Sequence, residues 1–181
     1  MKHFLMLAAL LAGTFCMADN LLVNGDMKTN KGWNLWGSAP ADPAIRAKML
    51  TYVNEGPDGA RVLRFEDCCA DRNPYILQLI PVSGVTAEQK YKVSFQLKAE
   101  KGRQVTVMLQ MFGAKLKFLG SRNAVVTGTG EWKKYEVTFT KPIADTEKFG
   151  LAFSPLAGTA MSDKAQTGSF LLTDVSLELV K

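Results

Sequence analysis

Residues 90–112 read KYKVSFQLKAEKGRQVTVMLQMF. In 91–99, Tyr91, Val93, Phe95 and Leu97 alternate with Lys92, Ser94, Gln96 and Lys98. In 104–112, Val105, Val107, Leu109 and Met111 alternate with Thr106, Met108, Gln110 and Phe112. A period of two is the signature of a β-strand with one buried face and one that meets solvent or ligand. Lys101-Gly102 supplies the connection. The spacing predicts a strand pair whose non-core faces lie side by side.

The same grammar extends in both directions. Short strands are predicted at 20–24, 49–54, 61–66, 75–81, 134–140, 148–153 and 169–180. Asn24-Gly25-Asp26 and Glu55-Gly56-Pro57-Asp58-Gly59 turn the chain between them. Residues 29–48 read as a loop, with two glycines, two prolines and two tryptophans. Residues 155–168 form a late loop rich in small and polar residues that borders a candidate site. Helical periodicity is nearly absent. Strands at roughly ten-residue spacing between Gly/Pro/Asp turns predict an all-β, two-sheet antiparallel sandwich of jelly-roll type. No linker, repeat or low-complexity segment divides residues 19–181, so they are read as one domain.

The first residues follow different rules. Residues 1–18, MKHFLMLAALLAGTFCMA, combine a short basic start, an apolar run and small residues at a cleavage position after Ala18. That is the pattern of a signal peptide, and the apolar run is too short to span a bilayer of about 30 Å. The expected product is secreted, periplasmic or at the cell surface, with no membrane insertion. Cleavage removes one of the cations behind the net charge of +5 and the only histidine, His3. A domain without histidine has no Ser-His-Asp or Cys-His triad, no His-ligated zinc and no histidine general base. The basic residues are scattered rather than interleaved with aromatics, which argues against nucleic acid. Two adjacent cysteines remain, Cys68 and Cys69. In an oxidising compartment a vicinal disulfide, two thiols and a bond to another chain are all open.

Several motifs stand in a recognisable order. Leu21-Leu22-Val23-Asn24-Gly25-Asp26-Met27 opens the domain and Gly32-Trp33 follows. Lys90-Tyr91-Lys92-Val93-Ser94-Phe95 precedes Gly130-Glu131-Trp132-Lys133-Lys134-Tyr135, and Phe170-Leu171-Leu172-Thr173-Asp174-Val175 closes the series. The order resembles the carbohydrate-binding modules of the family 4/9/22 group, galactose-binding-like β-sandwiches. The resemblance covers essentially the whole of residues 19–181. It implies a non-catalytic binder of a poly- or oligosaccharide on one sheet face. It also implies a structural calcium near the first strand, with Asp174 as a ligand. Lys28 stands where such modules often carry an acid, and opposes that metal.

A sugar presents an apolar C–H face and a polar rim, so its cleft needs flat aromatics together with amides or charges. The expected site residues are Trp36, Tyr75, Gln78, Gln96, Lys98, Gln110 and Phe112. Trp33 and Trp132 read as structural. The alternative is a cell-surface or matrix protein that uses the sandwich for protein contacts. A polysaccharide-active enzyme is the weakest reading, because no pair of placed carboxylates stands out: Glu66, Asp67 and Asp71 form only a local acidic cluster.

Overall fold

The computed structural model describes residues 19–69, 73–156 and 167–180. Residues 1–18, where a signal peptide is expected, and most of the 155–168 loop lie outside the described residues. Among the described residues, ten strands form two antiparallel sheets. The front sheet has the order β1 (Asn34–Gly37), β4 (Pro74–Pro81), β9 (Lys148–Ser154), β6 (Gln104–Phe112), β7 (Phe118–Thr127). The back sheet has the order β2 (Leu50–Val53), β3 (Val62–Glu66), β10 (Ser169–Val180), β5 (Lys90–Lys98), β8 (Lys133–Thr140). Among the described residues no helix is long and apolar enough to cross a membrane.

Alternation explains the core. Tyr91, Val93, Phe95 and Leu97 of β5 point inward from the back sheet, and Val105, Val107, Leu109 and Met111 of β6 from the front. Aromatic rings bind the layers together. Phe153 meets Phe95 edge-on at 5.0 Å, Trp33 at 5.9 Å and Phe170 at 6.4 Å. Tyr91 meets Phe149 at 4.7 Å. Such pairs contribute roughly 0.5–1.5 kcal/mol each beyond their buried area.

This packing corrects the expected side-by-side pairing. β5 and β6 lie in different sheets, and their hydrophobic faces meet across the core. Chain direction is reversed between sheets rather than within one. The β5–β6 and β7–β8 connections cross the gap together, held by Gly102 N–H to Gly128 C=O and Gly128 N–H to Arg103 C=O, at 2.9 and 2.7 Å. A side chain on Gly128 would place its Cβ 2.5 Å from the Glu100 carbonyl oxygen, so only glycine lets the two crossovers touch.

Three elements depart from the expected pattern. The loop-like stretch 29–48 contains β1 and a short helix, α1 (Pro43–Met49), capped by the Asp42 side chain with Pro at its first position. β7 is an additional strand, and its half-exposed residues give it no clean alternation. Residues 20–24 form no strand but run along β10, where Leu21 N–H donates to the Leu177 carbonyl at 2.9 Å. The Asn20 side chain bonds Leu22, Val175 and Leu177 backbone groups there.

Gln78 completes this attachment on the other sheet. It faces inward and is 3 % exposed. Its Oε1 accepts from Val23 N–H at 2.7 Å and its Nε2 donates to Val23 C=O at 2.8 Å. The amide imitates a strand partner, so the N-terminal segment is fastened to both sheets. The expectation that Gln78 lines a ligand face is therefore corrected, because its donor and acceptor are both used inside. Gln78→Leu would strip the Val23 N–H and C=O of this buried amide partner and should lower unfolding free energy by about 2–4 kcal/mol. Urea denaturation measures this, and the matching fall in Tm is roughly 5–15 °C.

Candidate binding face and family

The outer face of the front sheet is where the predicted aromatics meet. Trp36 of β1 pairs in register with Tyr75 of β4. On β6, Met108, Gln110 and Phe112 point outward, opposite the core-facing Val107, Leu109 and Met111. Leu77, Met108 and Ala152 form a small apolar floor, flanked by Trp36, Tyr75 and Leu79. Four predicted residues, Trp36, Tyr75, Gln110 and Phe112, therefore share one surface. Trp36 lies 6.3 Å from Phe112, and Gln110 Nε2 donates to the Tyr75 hydroxyl at 3.2 Å.

β7 adds residues that sequence reading missed. Ser121 pairs with Gln110 and Asn123 with Met108, so both present their side chains on the same face. The Ser121 hydroxyl donates to Asn123 Oδ1, which holds the amide in place. Beyond a register shift, Phe118 pairs with Phe112 and meets it edge-on at 5.8 Å. Phe118 is 57 % exposed, unusual for a large apolar ring. Trp36, Phe112 and Phe118 make a row of three rings across the sheet, with Gln110, Ser121 and Asn123 as its polar neighbours. Gly150 of β9 makes room for the row. A Cβ there would stand 2.7 Å from Leu77 and 2.9 Å from the Phe112 ring, so glycine lets Phe112 lie down on the sheet. The arrangement suits a flat ligand with an apolar face and a hydrogen-bonding rim.

Gln96 and Lys98 do not join this surface. Both sit on β5, in the back sheet, with side chains on the opposite side of the molecule. Alternation within β5 was read correctly, but the sheet assignment of its partner strand was not. Gln96 is further engaged, donating from Nε2 to Asp174 at 2.6 Å. Trp33 is buried in the core as expected. Trp132 is half-buried, and its indole N–H donates to the Glu55 carbonyl at 3.2 Å. Cys68 and Cys69 are present as thiols, Cys68 exposed and Cys69 packed against the core.

The residues around Asp174 do not fit a calcium ion. Asp174 lies at the β10 bulge with a positive φ of 50°, and its carboxylate already accepts from Gln96. Asp26, in the N-terminal segment, is paired with Lys28 at 2.7 Å. That hydrogen-bonded ammonium holds the Asp26 carboxyl below its usual range. The Lys28 ammonium is itself raised, first by Asp26 and more weakly by Asp174. Calcium needs six to eight oxygen ligands. Among the described residues no three acidic, cysteine or histidine side chains converge.

The fold has many solved counterparts. The enzymatically active part of tailspike protein 4 from bacteriophage CBA120 superposes with a TM-score of 0.63 at 12 % identity, over 89 % of this chain and 21 % of that one. This chain thus spans about a fifth of the tailspike chain. TmCBM61, solved with β-1,4-galactotriose, gives 0.56 at 21 % identity over 88 % and 98 % of the two chains. The CBM22-1 xylan-binding domain of Xyn10C from Paenibacillus barcinonensis gives 0.57 at 16 % over 91 % and 96 %. At these identities the likeness is one of fold. No curated protein matches the chain. The sequence model described as a carbohydrate binding domain, of families 4 and 9, matches residues 19–157. The chain therefore belongs to the family 4/9 carbohydrate binding domains.

Proposed function

We propose that this domain is an exported, non-catalytic binder of a poly- or oligosaccharide, which it holds on the outer face of the front sheet. The observation that carries the reading is the ring row Trp36–Phe112–Phe118 with Gln110, Ser121 and Asn123 beside it. Phe112 and Gln110 are buried, so Trp36 and Phe118 are the rings that stack on the C–H faces of a sugar, and Asn123 and Ser121 reach its rim. Fold neighbours solved with β-1,4-galactotriose or described as xylan-binding support the ligand class. A glycosidase needs two placed carboxylates flanking the scissile bond. The strands present on this face Trp36, Tyr75, Leu77, Leu79, Ala152, Gln110 and their neighbours, and no acid among them. The signal-peptide pattern of residues 1–18 supports export.

Retention on insoluble polysaccharides and a glycan array tests the reading. The wild type should be retained by at least one glycan. Trp36→Ala should weaken binding roughly 5–30-fold, the effect of about 1–2 kcal/mol. Phe118→Ala, at an exposed position, should weaken it several-fold without changing Tm. No retention on any glycan would sink the proposal. Because Lys28 already occupies the Asp26 carboxylate, binding and Tm should both be unchanged by EDTA or by millimolar calcium. A calcium-dependent rise in Tm of several degrees would contradict this account of the N-terminal segment.

A further inference from the structure

The outer face of the back sheet carries a cleft about 410 Å³ in volume, a size within the range of small-ligand sites. Strand register builds it. Leu171 of β10 pairs with Arg64 of β3 on one side and with Lys98 of β5 on the other. The three side chains stand in one row on the outer face, with Arg64 and Lys98 roughly 10 Å apart across two strand spacings. Two residues earlier on β10, Ser169 pairs with Glu66. Glu100 and Gly130, from the two crossovers, close the remaining wall.

Trp132 braces this surface. Lys134 pairs with outward-facing Gln96, so Trp132, two residues earlier, faces outward too. Its indole bonds the Glu55 carbonyl, and the Glu55 carboxylate pairs with Arg64. The link ties the start of β8 to the β2–β3 turn and holds the guanidinium in place.

The charges decide what the cleft can hold. Arg64 is engaged by Glu55, and Glu100 by Arg103 at 3.4 Å. Among the described residues Lys98 and Glu66 have no ion-pair partner. The lining of Arg64, Lys98, Glu66 and Glu100 cancels in formal charge, so it selects neither an anion nor a cation. It sets an unpaired donor and an unpaired acceptor above the aliphatic floor of Leu171. Leu171 takes the place that a flat ring holds on the front face, offering an apolar contact to the C–H face of a sugar while Lys98 and Glu66 reach the hydroxyls at its edge. We propose that this cleft is a second saccharide site, which takes one neutral sugar unit, and that the domain bridges two glycan chains held on opposite sheets. The bridging role rests on the front-face reading above, whereas the second site stands on its own geometry. Two sites on one rigid body add avidity without new contacts.

Amide chemical shifts of the isotopically labelled chain distinguish the two sites. The titrants are cello-, xylo- and β-1,4-galacto-oligosaccharides, with glucuronic acid and glucosamine as charged comparators. Two separable, saturable sets of shifts are expected, one around Trp36, Gln110 and Asn123 and one around Lys98, Gly130 and Leu171. K98A and E66Q should each weaken the second set fivefold or more and leave the first within twofold. Both side chains lie on the surface, so Tm should hold. The proposal is overturned if no neutral sugar moves the Leu171 set saturably, or if both variants leave that set unchanged. It is also overturned if a charged comparator binds there tenfold better than every neutral sugar. Shifts at Leu171 alone would sink the front-face reading and keep the second site, and shifts at Trp36 alone would do the reverse.

Discussion

The contact of Phe153 with Phe95, edge to face at 5.0 Å across the gap between the sheets, sets the terms for everything else in this molecule. It lies where β9 of the front sheet and β5 of the back sheet press their apolar faces together, with Trp33 and Phe170 closing around it. Once those faces are buried, each strand has only one side left for polar or functional work. The two remaining sides point in opposite directions. A residue on β5 and one on β6 can share a core but never a ligand.

This constraint explains which parts of the fold were legible in the sequence. Alternation revealed β5 and β6, and short strand-like runs between turns revealed β2, β3, β4, β8, β9 and β10. Neither signal revealed which strands are neighbours. That depends on the crossovers at Gly102 and Gly128, which join the sheets through backbone hydrogen bonds that leave little trace in hydropathy. β7 escaped because it is an edge strand whose two sides are both partly exposed. The helix α1 escaped although Asp42-Pro43 carried its start signal, a capping acid followed by a proline suited to the first turn.

The candidate face was legible to the same extent. Trp36, Tyr75, Gln110 and Phe112, singled out as aromatic and amide residues, do share one surface. Ser121, Asn123 and Phe118 were not found, since they lie on the strand that was missed. Gln78 shows a different limit. Its residue type fits a ligand face, but its amide replaces a backbone partner for Val23, which only the path of the N-terminal segment reveals. Lys28 works the other way. A single charge, visible in the sequence, foretells a local ion pair with Asp26 that leaves a metal little to bind.

A crystal structure of the domain with a neutral oligosaccharide that it retains tests the central claim most directly. The account predicts sugar rings lying over Trp36 and Phe118, with hydroxyls within hydrogen-bonding distance of Gln110 or Asn123. A saccharide bound only on the back sheet or at the loops, with the Trp36–Phe112–Phe118 row bare, would contradict it.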